Sequence, residues 1–241
     1  MTDNTDQVRT LVIGGSSGMG YALAERLLAA GHHVDIAARD ERGLADAAER
    51  LGRERVRTHR VDIAREQSVA ALFDVVGPLD HVVVTAADMR HGYGALTELP
   101  TTDARTVFDI KILGPWLVAK YAAEQLRGSL TLTSGIAAYR PAPGGSVVAT
   151  ANAALEGMVR ALALELAPIR VNAVSPGWVD TPIWDEFAGA DKHHRLAAMA
   201  ERLPAGRVGR PADIAAAFHA VIDNEFITGT VLHVEGGHRL V

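Results

Sequence analysis

A doubly wound α/β sheet of about seven parallel strands, built as a single domain, is the fold class this sequence predicts, and three observations predict it. Short runs rich in Val and Ile alternate along the chain with longer stretches of helical period. Some of those runs, such as Val82-Val83-Val84, are apolar at every position, as a strand covered on both faces requires. The chain has 241 residues, 48% of them hydrophobic. That is enough for one core burying roughly 70 to 75% of the unfolded surface without staples.

Taken in order, the first apolar run, Arg9 to Ile13, is a strand, and the amphipathic stretch Met19 to Ala30 is a helix that stops at Gly31. The pattern then repeats. Strands are expected at His33 to Ala38, Val56 to Val61, His81 to Thr85, Ser129 to Thr133, Arg170 to Val174 and Val231 to Val234. Helices are expected at Glu41 to Leu51, Glu66 to Val76, Thr102 to Leu126, Val147 to Leu166 and Pro211 to Ile222. One stretch breaks the alternation. Residues 178–204 carry mixed charge, the pair His193-His194 and two prolines, and read as an insertion forming a lid over the site.

Composition narrows the function. The absence of Cys excludes disulfides, thiolate metal sites and a cysteine nucleophile, and fits a reducing compartment, with the cytoplasm expected. With 24 Lys+Arg against 29 Asp+Glu, and no basic run to follow a phosphate backbone, nucleic acid is not expected as a partner. The amino terminus, Met1 to Asp6, is polar and acidic, unlike a signal peptide, and no run approaches 18 uninterrupted apolar residues, so no membrane partner is expected. His193 and His194 are adjacent, whereas helical metal ligands stand three or four apart. No metal site is expected.

Leu11-Val12-Ile13-Gly14-Gly15-Ser16-Ser17-Gly18-Met19-Gly20 sets a glycine-rich turn between the first strand and the first helix. Glycine lets backbone N–H groups approach a pyrophosphate, and the helix amino terminus favours its charge. This is a Rossmann-type arrangement.

Several further motifs occur in a consistent order. They are Asp62 after the third strand, Ala153-Ala154-Leu155-Glu156-Gly157, Arg170 to Gly177, Thr181-Pro182, Gly206 to Pro211, and Thr228-Gly229 followed by Glu235-Gly236-Gly237. Together with Gly14, Gly18 and Gly20 they make the chain resemble the short-chain dehydrogenase/reductase family over nearly its whole length. The resemblance implies a nicotinamide dinucleotide site and an NAD(P)-dependent oxidoreductase. Pyrophosphate falls on Gly14, Ser16, Ser17, Gly18, Met19 and Gly20, and adenine near Asp62 and Ile63. The nicotinamide half falls near Ala86, Asn152, Pro176, Gly177, Val179 and Thr181. The family usually has Thr at the position of Ile13, so a structural hydroxyl is missing there. By the same resemblance the acidic residue that binds the ribose is replaced by Ala38 with Arg39 beside it. Arg39, with Ser16 as a second contact, can pair with a 2′-phosphate, which favours NADP(H) over NAD(H). Alternatively Arg39 is an exposed side chain paired with Asp40 or Glu41.

The resemblance fails at the catalytic positions. The family's tyrosine falls on Val148, its lysine on Asn152, its serine on Gly135 with Ser134 one residue early, and its asparagine on Lys111. After the fourth strand Val84-Thr85-Ala86-Ala87 stands for the family's NNAG. Three explanations compete. In the first, the cation has moved to Lys111 with Ser134 or Tyr139 as hydroxyl, so Ser134, Lys111, Tyr139 and Asn152 are the candidate catalytic residues. In the second, hydride goes to a substrate already cationic, such as an iminium, which needs no proton donor. In the third, redox function is lost and the protein binds a dinucleotide or a partner; a lyase or isomerase reusing the pocket is a further alternative.

Each candidate also has a plainer reading. Lys111 can snorkel to solvent, Ser134 can bond local backbone, and Asp88, Arg90 and His91 are either substrate contacts or solvated loop charges. Small and apolar residues along Ala149 to Leu166 exceed what one sheet-facing stripe needs, and point to a homodimer or homotetramer through the helices near 102–126 and 147–166.

Overall fold

The computed structural model describes residues 7–88 and 90–241; Met1 to Asp6 lie outside the described residues. Seven parallel strands form one sheet in the order β3-β2-β1-β4-β5-β6-β7. They are β1 (Arg9–Ile13), β2 (His33–Ala38), β3 (Val56–Arg60), β4 (Leu79–Val84), β5 (Leu126–Thr133), β6 (Arg170–Pro176) and β7 (Val231–Val234). Strand order reverses between β1 and β4. That leaves a crevice at the carboxyl ends of these strands, where such sheets bind ligands.

Helices cover both faces. On one lie α1 (Gly18–Ala29), α2 (Glu41–Leu51) and α9 (Pro211–Asp223), whose Leu23, Leu27, Leu44, Phe218 and Val221 pack on Val12 and Ile36. On the other lie α3 (Glu66–Val76), α5 (Gly114–Ala122) and α6 (Ser146–Glu165), packed on Leu11, Val82, Leu130 and Val171. Two buried faces account for the continuous apolar run Val82-Val83-Val84 in the central strand β4. The edge strand β3 departs from that pattern: Arg57, Thr58 and Arg60 are exposed.

One expectation is corrected. The helix expected over Thr102 to Leu126 is α4 (Thr101–Phe108), a π-helical turn (Asp109–Leu113) and α5, and Leu126 already belongs to β5. The cause is Gly114-Pro115. Proline has no N–H and its ring crowds the carbonyl four residues back, so the Gly114 N–H bonds Asp109 O, five residues back. The expected insertion at 178–204 contains two helices, α7 (Ile183–Ala188) and α8 (Lys192–Arg202).

Among the described residues, α6 is the one helix long and apolar enough to cross a membrane, with mean hydropathy 1.3. It lies against the sheet through Leu155, Val159 and Leu162.

Candidate active site

The glycine loop lies over the crevice. Gly14 has φ +93° and Gly18 φ +54°, conformations that disfavour a side chain. Space is equally restrictive: a Cβ at Gly14 would stand 2.5 Å from Thr85 Oγ1 and 2.6 Å from the Ala86 nitrogen. Thr85 also answers the hydroxyl that Ile13 lacks. Its Oγ1 donates to Ile13 O at 3.1 Å and its N–H to the same oxygen at 2.7 Å, tying the ends of β1 and β4 together. No side chain caps the amino terminus of α1, and its first turn holds no acid. Backbone donors around a cradle that no Cβ enters fit a dinucleotide's pyrophosphate.

A cleft of about 460 Å³ surrounds this loop. It brings together Gly14, Ser16, Ser17, Gly18, Met19, Gly20, Arg39, Asp62, Ile63 and Ala86, as well as Thr181 from beyond β6. Arg39 pairs with neither Asp40 nor Glu41. Its Nη2 bonds Asp88 Oδ2 at 3.0 Å, and the rest of its side chain, 54% exposed, faces outward. Asp88 also receives Arg90 Nε at 2.8 Å and Arg90 Nη2 at 2.6 Å, and Arg90 reaches Glu186 of α7 at 3.4 Å. The Arg90 hydrogen bonds hold the Asp88 carboxyl well below the usual carboxylate range. Asp88 and Arg90 are thus an ion-paired wall of the cleft, whereas His91 pairs with Asp103 and lines neither cavity.

A second cavity of about 840 Å³ adjoins the first and contains the remaining candidates: Lys111, Ser134, Tyr139, Asn152, Pro176, Gly177 and Val179. Its outer wall is aromatic. Trp184 packs against Trp178 with ring centroids 4.5 Å apart and planes tilted by 41°, and Phe187 meets Tyr93 edge to face at 5.2 Å. Trp184 and Phe187 both come from α7, within the 178–204 segment.

Lys111 does not snorkel. It is 4% exposed, and the π-helical turn aims it at the end of β5, where Nζ donates to Thr133 O at 2.5 Å and to Ser134 O at 3.4 Å. No carboxylate partners it there, and burial lowers its pKa from 10.5 to about 8. Ser134 Oγ donates to Asn152 O at 3.1 Å, so its hydroxyl joins β5 to α6. The Asn152 side chain lies against Gly135, and its Oδ1 is buried without a partner in the structure.

Val148 is buried with Val107 and Ala151, and a Cβ on Gly92 would stand 2.6 Å from its Cγ2. Val148, onto which the resemblance places the family's tyrosine, also lines the second cavity and brings no hydroxyl to it. Tyr139 stands edge to face on His233 at 4.5 Å; burial and the neighbouring Glu156 carboxylate push its hydroxyl up to about 12. The structure brings Lys111, Ser134 and Asn152 into one cluster and sets Tyr139 toward Glu156. Tyr93 and the tryptophans were not singled out from sequence, because nothing in spacing shows that loops 80 residues apart share a wall.

Comparison with known proteins accords with this architecture. A family model described as Enoyl-(Acyl carrier protein) reductase matches residues 14–239. The short-chain dehydrogenase/reductase ucsE of Acremonium sp is 32% identical over 255 residues, covering 98% of this chain and 96% of its own. Among solved structures, the MalC Reductase/Diels-Alderase from Malbranchea aurantiaca superposes with TM-score 0.91 at 32% identity, covering 98% and 97% of the two chains. A small-chain dehydrogenase in complex with NADPH gives TM-score 0.81 at 34% identity, covering 98% and 100%. A glycine-rich loop at the strand-order switch, and likeness in sequence and structure along nearly the whole length, make this chain a member of the short-chain dehydrogenase/reductase family of oxidoreductases.

Proposed function

We propose that the protein is an NADP(H)-dependent oxidoreductase with a non-standard catalytic set, acting on a carbonyl or imine of a small organic substrate. The observation that carries this reading is the junction of the two cavities. Met19, Thr85, Ala87, Thr181 and Ile183 border both, so the glycine loop and the aromatic chamber form one continuous groove. In this reading Gly14, Ser17 and Gly18 hold the pyrophosphate, and Asp62 and Ile63 flank the adenine. Arg39, with Ser16, takes the 2′-phosphate, and Pro176, Gly177, Val179 and Thr181 border the nicotinamide half. An exposed guanidinium beside Ala38 supports NADP(H), as does the similar dehydrogenase solved with NADPH. When bound, the coenzyme supplies or accepts hydride.

The chain's own part is to exclude water and move a proton. Trp178, Trp184 and Phe187 wall off the chamber. Lys111 has two of its three protons on carbonyls and a pKa near neutrality, so the third is available to a substrate oxygen or nitrogen in the chamber. Ser134 and Asn152 position the end of β5 on which that ammonium rests. Val148 has no proton to give.

The test is NADPH oxidation across a panel of ketones, imines and enones, run beside calorimetric binding of NADPH. Oxidation with at least one class supports the reading; binding without oxidation in any case overturns it.

A second reading, cycloaddition in the same chamber, is favoured by one observation: the structure at TM-score 0.91 is described as both a reductase and a Diels-Alderase. Substrate conversion without coenzyme would mark it. For assembly, we infer a homo-oligomer through α4, α5 and α6, whose Trp116 and Leu164 are exposed apolar side chains. Light scattering would report the mass.

A further inference from the structure

The carboxyl ends of the strands carry both cavities. At the opposite end of the sheet stands a cluster that neither cavity uses. His32 sits in the turn between α1 and β2, and its N–H is held by Leu27 O at 3.0 Å. His219 and Asp223 are one turn apart on α9, the spacing that sets two ligands on one helix face, with His219 Nε2 3.3 Å from Asp223 Oδ2. The His32 and His219 rings stand edge to face at 6.0 Å. One ligand atom from each of the three residues lies within 4.8 Å of the other two.

We propose that His32, His219 and Asp223 bind a single divalent transition-metal cation of the zinc class. Two imidazoles and one carboxylate are the donor set for zinc or its neighbours in the series. Calcium and magnesium require more oxygen. The frame is rigid, because α1 packs on α9 through Leu23, Leu27, Phe218 and Val221 within one core cluster. The outer-shell partner that a metal-binding histidine needs is also in place. The buried Thr10 Oγ1 lies 3.0 Å from His32 Nδ1, and accepting that N–H leaves Nε2 for the metal. Asp223 is exposed, so water can complete the coordination.

Arg26 opposes the cation. Its Nε donates to His219 Nδ1 at 3.0 Å, which places the ring proton on Nε2, toward Asp223. A metal on Nε2 takes the place of that proton and leaves Nδ1 to carry it, so Arg26 has to swing aside into solvent. A bound ion would tie the α1–β2 turn to α9 and stabilise the fold in proportion to its occupancy. Adjacent histidines such as His193-His194 are visible in the sequence, whereas this cluster is not. These ligands come from two elements more than 180 residues apart.

The test titrates the tag-free, chelator-dialysed full chain with zinc chloride by calorimetry and follows Tm in parallel. The expected result is one saturable zinc per chain and a rise in Tm, with no rise in calcium or magnesium chloride. His219→Gln and Asp223→Asn should each weaken binding at least about tenfold. Arg26→Ala should tighten it, a change that loss of a merely structural contact would not produce. Asp223 is exposed, so the fold should survive its substitution, which circular dichroism without zinc would verify. Absence of saturable zinc binding in the natural chain overturns the proposal. So does undiminished binding in the Asp223→Asn and His219→Gln variants, as a surface pair such as His193-His194 would give.

Discussion

Gly135 and Asn152 are fitted to each other: a Cβ on Gly135 would stand 2.9 Å from Asn152 Nδ2. The contact couples the loop after β5 to α6, so a side chain added at Gly135 has to displace the Asn152 amide. Gly135→Ser should lower stability by about 1 to 3 kcal/mol through overpacking, read as a lower urea midpoint. In an Asn152→Ala background the same change should cost less. Equal costs in both backgrounds would refute the coupling.

Lys111 should set both rate and pH profile. Lys111→Met is expected to lower NADPH oxidation by about 10² to 10⁴-fold while leaving coenzyme affinity nearly unchanged. In the natural chain, reduction should fall as pH rises through about 8, where the ammonium loses its proton, and the reverse reaction should rise over the same range.

The same residue makes a prediction for stability. Between about 8 and 10.5 the unfolded chain holds a proton that folded Lys111 has released. Unfolding there takes up a proton, so stability should climb with pH across that window, by on the order of 3 kcal/mol in total. Denaturant midpoints for Lys111→Met, measured over the same pH range, should lack that climb.

Arg39→Ala should raise KM for NADPH by about 10 to 100-fold, the worth of charge-assisted hydrogen bonds to a phosphate, and leave KM for NADH within a few-fold. Equal effects on the two coenzymes would assign the 2′-phosphate to another group.

Gly14→Ala should abolish coenzyme binding in calorimetry and lower Tm. It combines a positive φ with a methyl group thrust against Thr85 and Ala86. Gly157→Ala, at an open helical position, is the control and should be neutral or stabilising.

Most of the scaffold was legible because its signals are local. Val/Ile runs, helical periodicity and the Gly14 to Gly20 turn each lie within about ten residues, and the strands they marked form the sheet. The place of the cleft followed, since a loop joining β1 to α1 can lie only over the carboxyl ends of the strands. The π-helical turn was not legible. It depends on how Pro115 redirects one hydrogen bond, which hydrophobic periodicity over Thr102 to Leu126 does not register.

From sequence alone came the fold class, the glycine-rich turn after β1, a valine and an asparagine where the resemblance expects tyrosine and lysine, and the arginine beside Ala38, because each is written in residue type at a position counted along the chain. Tertiary structure alone decided that Lys111 is buried on the carbonyls of Thr133 and Ser134, that Arg39 turns to Asp88, and that Tyr139 stands beside Glu156. The physical reason is that a side chain's partner and protonation depend on which distant segments exclude water around it. That is settled when helices and loops close over the sheet.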